Sequence, residues 1–278
     1  MKKSFIIVMS CSNISSSSPA KIAVLGAGWW SQGWHIPHLH RNPNADLVAI
    51  VDPTPHPRSN LNPDLEPLSV LASKYETRIF ASVEELLQDN DIGPTLQGVI
   101  VCTPHSTHSN VGQQILEENR RRLAAGKTPI HILMEKPFTT RIDHAQDLHD
   151  AVSQDVFRDV YFAINHTGNY RAQTKTARGL VQSGAIGNLR FVNVFFASPL
   201  SSIFEDPANR GWNEPSEGML GNGEWTVNYR LSPCRNQTFA HTSNYVNHSC
   251  RIRLGTIFSC LGVDFSRVPF VTTRNCVL

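Results

Sequence analysis

Apolar runs and helix-spaced segments take turns along residues 21–166 of the chain. The runs at 21–25, 47–51, 98–102, 131–134 and 160–164 have the length and composition of strands. The stretches near 65–75, 83–88, 110–125 and 142–153 read as amphipathic helices. Strands that alternate with helices in this way predict an α/β fold with a doubly wound parallel sheet, covered on both faces. Right-handed crossovers then gather the C-terminal ends of the strands, and the loops leaving them, along one edge. Pro53, Pro55, Pro57, Pro63 and Pro67 exclude a helix there, so that segment is predicted as an exposed loop. Leu180–Gly187 reads as a helix stopped by Gly184, and Leu189–Phe196 alternates as a strand. These elements open a second domain. After about Gly223 the chain turns rich in Ser, Thr, Asn, Arg and Cys and loses its periodicity. Arg251–Leu254 has the length of a short strand, and no internal repeat is visible. The pattern therefore divides the chain into a sheet domain over 20–160, the start of a second domain over 161–223 and an atypical, poorly ordered tail over 224–278.

Composition changes this picture little. The 278 residues carry 40% hydrophobic and 17% charged side chains and a net charge of +2, an ordinary globular balance. Arg120, Arg121 and Arg122 form the longest basic run, which a solvated helix end explains better than a nucleic-acid surface. No apolar stretch is long enough to span a bilayer. Neither nucleic acid nor membrane is expected as a partner. Lys2 and Lys3 before Phe5–Met9 imitate a signal peptide, but the apolar stretch is short and Ser15–Ser18 follow at once. Residues 1–19 are read as a flexible leader, which leaves organelle targeting open, and the expected location is cytoplasmic. The six cysteines form no CxxC pair, so no metal or redox site is expected. Cys102, inside an apolar run, reads as a small buried thiol.

The candidate chemistry lies at the strand ends. Gly26-Ala27-Gly28 follows the first strand, the context in which glycines cradle a dinucleotide. Gly26 permits the tight turn and Gly28 lets the backbone approach a pyrophosphate. Ser31 takes the third glycine position and is small enough for close helix packing. Pro37 suits a first helical position, which predicts a helix from about Ile36 and a wide loop carrying Trp29, Trp30 and Trp34. Asp52 ends the second strand, where a carboxylate can accept from ribose hydroxyls and repel a 2′-phosphate, favouring NAD over NADP. Arg58 just beyond works against that preference, and a plain turn before Pro53 is the alternative role for Asp52.

Thr103-Pro104 ends the third strand and leads to His105, Thr107 and His108, either as a ligand loop or as a simple proline turn. Glu135-Lys136-Pro137 ends the fourth. Adjacent strand side chains point to opposite faces, so Glu135 and Lys136 diverge. A lysine partly desolvated beside a cationic nicotinamide can exchange protons with a reacting oxygen. The alternative is a solvated loop lysine.

In this order the motifs resemble the glucose–fructose oxidoreductase/inositol dehydrogenase (Gfo/Idh/MocA) family. The resemblance rests on GAGWW at 26–30, VCTPHSTH at 101–108, MEKPF at 134–138 and GAIGNLRFV at 184–192, and covers roughly residues 20–223. It implies a Rossmann domain followed by an α/β domain whose open sheet forms the substrate wall. It implies an NAD(P)-dependent oxidoreductase that moves a hydride between nicotinamide and a small hydroxylated substrate such as a sugar or inositol. By the same resemblance Lys136 is the catalytic lysine, with Gly26, Gly28, Trp29, Trp30, Asp52, Thr103, Pro104, His108 and Glu135 around the cofactor. His166, Arg171 and, by a looser match, Trp212 fall on the substrate side. Members of the family are often homo-oligomers built through the second domain.

One departure matters. The family usually carries an Asp-x-x-x-His pair early in its second domain, after a glycine-rich turn. Here Gly221-Asn222-Gly223 resembles that turn, yet Glu224–Tyr229 contains no such pair. Residues 224–278 are too few and too polar for the family's sheet, so the second domain is expected to be incomplete and its oligomer interface weakened. The competing expectation is a dinucleotide-binding protein without catalysis.

Overall fold

The computed structural model describes residues 18–59 and 62–187. Six strands form one sheet: β1 Ala20–Leu25, β2 Ala45–Val51, β3 Arg78–Phe80, β4 Gly98–Val101, β5 His131–Glu135 and β6 Phe162–Asn165. Their order is β3-β2-β1-β4-β5-β6, and every neighbouring pair is parallel. Six α-helices accompany them: α1 Ile36–Arg41, α2 Leu68–Tyr75, α3 Val83–Gln88, α4 His108–Ala124, α5 Ile142–Val152 and α6 Ala172–Gln182. This is the doubly wound Rossmann arrangement predicted from the pattern. Its chain order reverses between β1 and β4, which opens a crevice at the C-terminal ends of those strands.

The strands are apolar along their whole length because the sheet is buried twice. Ala23, Leu25, Val99, Val101, Ile132 and Met134 face α4 and α5 and pack with Leu116, Ile115 and Leu148. The intervening Val24, Ile50 and Ile100 face the other way and pack with Ile36, Leu39, Leu68 and Leu71. Register then aligns the strand ends. Leu25 pairs with both Val51 and Val101, Val101 with Met134, and Glu135 with Asn165.

Several boundaries differ from the pattern. β3 has three residues, too few to show a period, and went unread. α2 begins at Leu68 because Pro67 occupies its N-cap. The final helix starts at Ala172 rather than near Leu180, and ends where Gly184 takes φ +72°. The expected wide loop after Gly28 is helical instead. Trp29 and Trp30 open a helix that continues as a π-turn over Ser31–His35 and then as α1. Pro37 has no N–H to give Gly33 and its ring would crowd that carbonyl, so the turn widens and the Ile36 N–H bonds back to Ser31 O.

The basic run is also corrected. Arg120 and Arg121 are solvated, but Arg122 is buried and donates to the Leu96, Thr128 and Gly93 carbonyls and to Glu118. Beside it on α4, the Asn119 side chain closes two bonds with the Ile130 backbone, at 2.8 and 2.7 Å. Both side chains answer backbone groups that burial would otherwise leave unpaired. No helix among the described residues is long and apolar enough to cross a membrane. Leader residues 1–17, the expected strand at 189–196, Trp212 and the tail from 224 lie outside the described residues.

Candidate functional site

The glycine turn is built against the neighbouring strand. Gly26 has φ +95°, and a Cβ there would lie 2.6 Å from Cys102 O. The backbone of β1 therefore passes directly over the end of β4. At Gly28 an added Cβ would meet nothing within 4 Å, so the space beside the turn is open. Ser31 is fully buried and its Oγ donates to Gly26 O at 2.5 Å, which fastens the turn to the helix. Asp52 spans two loops: Oδ2 accepts from Ala27 N and Oδ1 from Thr54 N, both at 2.8 Å. It thus fills the turn-forming role and stands beside the glycines, with lone pairs of both oxygens still to offer. Arg58 is exposed in the following loop.

At the far side of the crevice the carboxylate of Glu135 gathers four donors. Oε1 accepts from Trp30 Nε1 at 2.8 Å, His35 Nε2 at 2.7 Å and Asn165 Nδ2 at 2.7 Å. Oε2 accepts from the Lys136 backbone N–H at 3.1 Å. Glu135 is 5% exposed. Burial pushes its carboxyl up, but the bonds from His35, Asn165 and Trp30 outweigh burial and hold it down at about 2. Its ionised form is the one the site is built around.

A carboxyl held low stabilises the fold above its unfolded value near 4.5, and that contribution disappears as pH falls through about 2. It amounts to about 3 kcal/mol when complete. Glu135→Gln should therefore melt lower than wild type at neutral pH, and the gap should narrow as pH falls from about 4.5 towards about 2. Thermal melts across that range read the difference. A gap that stays constant with pH would refute the assignment.

Lys136 follows just beyond the end of β5. It is exposed, so the described residues do not desolvate it as expected from sequence. Its Nζ stands 5.9 Å from the centre of the Trp30 ring, a cation–π contact. Trp30 also meets Trp29 edge-on at 5.2 Å and Trp34 at 5.5 Å, and Trp34 is half exposed.

Thr103 and Pro104 lie where expected, at the end of β4, with Thr107 Oγ1 donating to Pro104 O at 2.7 Å. His108 does not reach the crevice. It is fully buried, with Nε2 3.0 Å from Thr103 O and Nδ1 3.0 Å from Pro137 O. Its ring lies between the Thr103 loop and the Lys136 loop, within hydrogen-bond reach of a carbonyl of each. Burial pushes its ring below the usual histidine range, against the pull of those carbonyls. His105 beside it is held at about 3, first by burial and then by His108 and Lys136. Burial also pushes the Cys102 thiol up, in keeping with an inert packing role.

At the β6 end Asn165 and His166 come to the same edge. His166 is lowered first by burial and then by the Lys136 charge, which places it in the electrostatic reach of that lysine. Arg171 is exposed at the N-cap of α6. Among the described residues no cluster of three or more His, Cys, Asp or Glu is arranged to hold a metal.

The structure thus brings together Trp30, Glu135, Lys136 and His166, and separately Gly26, Gly28 and Asp52. The helix carrying Trp30 joins the two groups. His35 was missed from sequence as a site residue. In a regular α-helix residues five apart face different ways, so Trp30 and His35 read as unrelated. The π-turn puts such residues one above the other, where both reach Glu135.

The model of the Gfo/Idh/MocA oxidoreductase family, NAD-binding Rossmann fold, matches residues 20–157. The chain is 23% identical over 217 residues to the uncharacterized oxidoreductase YdgJ of Escherichia coli, covering 78% of this chain and 51% of that protein. It is 21% identical over 224 residues to D-xylose 1-dehydrogenase (NADP+) of Haloarcula marismortui, covering 81% of this chain and 55% of the other. The WlbA dehydrogenase from Chromobacterium violaceum, solved with NADH and UDP-GlcNAcA, superposes with a TM-score of 0.51 at 20% identity. That superposition covers 68% of this chain and 48% of the other, and speaks for the fold. The chain spans about half the length of the curated relatives it matches.

Proposed function

Residues 20–157 belong to the Gfo/Idh/MocA oxidoreductase family, and on that premise we propose that the chain is an NAD(P)-dependent oxidoreductase acting on a CH–OH group. Its substrate is a small hydroxylated molecule, a sugar or inositol or a close relative of these. The observation that carries the proposal is Lys136, exposed at the C-terminal end of β5 and braced over Trp30, across the crevice from the glycine turn. A relative named as a D-xylose dehydrogenase supports the substrate class.

A bound nicotinamide supplies the hydride chemistry. The chain supplies binding and orientation. The open space at Gly28, where a Cβ would meet nothing, fits a pyrophosphate against the start of the helix. Trp29 and Trp30 open that helix and flank the space. Asp52 offers its remaining lone pairs to ribose hydroxyls, and its charge favours NAD over NADP. Thr103 and Pro104 wall the nicotinamide side. The Lys136 ammonium orients and polarises the reacting oxygen. His166, Arg171 and Trp212 are assigned to the substrate.

The test uses the full chain. NADH and NADPH are titrated by calorimetry, and nicotinamide absorbance is then followed with panels of sugars and inositols. Turnover of one such substrate supports the proposal. Dinucleotide binding with no turnover on any of them overturns it in favour of a non-catalytic binder. Asp52→Asn keeps an acceptor for Ala27 N–H, gives up the one for Thr54 N–H and removes the charge. It should weaken NADH by about tenfold and improve NADPH relative to NADH. An unchanged ratio of the two affinities would remove Asp52 from the ribose site.

A further inference from the structure

Glu135 accepts four hydrogen bonds from groups around Lys136. One oxygen holds Trp30 and His35 from the helix after the glycine turn and Asn165 from the end of β6. The other holds the Lys136 backbone. The circuit closes through one side chain: the Trp30 indole gives its N–H edge to Glu135 and its face to the Lys136 ammonium. Lys136 is thus fixed at both ends, its backbone directly by Glu135 and its Nζ by a ring that Glu135 orients.

We infer that Glu135 is the positioning residue of the site, and that Trp30 is the arm through which it aims the Lys136 ammonium. The inference rests on the oxidoreductase reading for its kinetic consequences, but its geometry does not. A carboxylate with four donors has one arrangement that satisfies all of them. An ion–ring contact is weak alone and directional only when the ring cannot turn. His35 and Asn165 converge on the same Oε1, which holds that oxygen in place as the acceptor of the indole N–H.

The test needs variants that separate aim from folding. Trp30→Phe keeps a ring face and loses the N–H. Trp30→Leu loses both. Glu135→Gln replaces the ionised acceptor with an amide whose NH2 faces one or more of the four donors. For each, the thermal midpoint, NADH affinity, kcat and KM are measured on the full chain. In parallel, the rate at which trinitrobenzenesulfonate labels Lys136 is read by peptide mass spectrometry, with and without NADH. Trp30→Leu and Glu135→Gln should lower kcat by about fivefold to fiftyfold. Trp30→Phe should fall between them and wild type. The Lys136 labelling rate should rise at least about twofold in the same order, because the ammonium is no longer held against the ring.

If the melting points fall while Lys136 labelling stays at the wild-type rate, Glu135 and Trp30 only hold the fold and the inference is wrong. If wild type turns over no sugar or inositol but the labelling order appears, the positioning role stands and the oxidoreductase reading fails. If wild type turns over and kcat in Trp30→Leu equals wild type, the aim given to Lys136 is wrong.

Discussion

Lys136→Met should lower kcat by about 10²–10⁴-fold on whichever hydroxylated substrate the full chain turns over, while NADH affinity stays within about threefold. The asymmetry follows from placement. Lys136 is exposed and leans on Trp30, so methionine keeps the stem and removes only the charge. Its backbone bond to Glu135 survives the change, since it uses the main-chain N–H. The fold should not notice either: an exposed side chain that makes no buried bond alters stability by about 0.5 kcal/mol or less. Loss of kcat with unchanged melting and binding is the pattern of a group that acts on the reacting oxygen. Lys136→Arg tests geometry with charge retained, and should recover little, because a planar guanidinium does not replace a compact ammonium. A kcat within about threefold of wild type in Lys136→Met would remove this lysine from the chemistry.

Gly26→Val should be the most damaging single change to the fold among the site residues. Valine at φ +95° sits in a region that β-branched residues avoid, at about 1–3 kcal/mol. Its Cβ would also lie 2.6, 2.8 and 2.9 Å from Cys102 O, Cys102 C and Thr103 N. These are backbone atoms of the β4 end, so no rotamer can yield and β1 must leave β4. A loss of at least about 3 kcal/mol is expected, with dinucleotide binding abolished. Gly28→Ala is the matched control. Its Cβ meets nothing, so stability should remain near wild type while the methyl fills the space for pyrophosphate and affinity falls by at least about tenfold. Thermal denaturation and NADH calorimetry on both variants measure the two effects apart. Equal stability in Gly26→Val and wild type would mean that the turn can relax away from β4.

Much of this was legible along the chain because it is local. Continuous apolar runs of five or so residues, too short for helices and ended by Gly, Pro or Asp, fit strands covered twice, and their alternation with helices points to a parallel sheet. Gly26, Asp52, Thr103 and Lys136 announce themselves because each ends such a run. The resemblance sets His108 beside the cofactor, and the first turn of α4 buries its ring within reach of the Thr103 and Pro137 carbonyls. The same local reading misplaced others. Arg122 looked like the last of three solvated arginines. It is buried because its guanidinium reaches the Leu96 and Gly93 carbonyls, 26 and 29 residues away along the chain. β3 was missed because three residues carry no period, and its pairing with β2 comes from the sheet edge it completes.

The sequence by itself determined five of the six strands, the edge at which their loops gather and the residues that end them. Those depend on hydrophobic period, proline and glycine, which act over a few residues. Tertiary structure alone decided how the strand ends become a site. Trp30, His35, Glu135 and Asn165 are spread over three elements, and no spacing relates them. They meet because parallel register sets Glu135 beside Asn165 and because Pro37 widens a helical turn enough to bring Trp30 and His35 onto one face. A buried carboxylate then needs every donor within reach, and that need, felt only in the folded chain, fixes where Lys136 points.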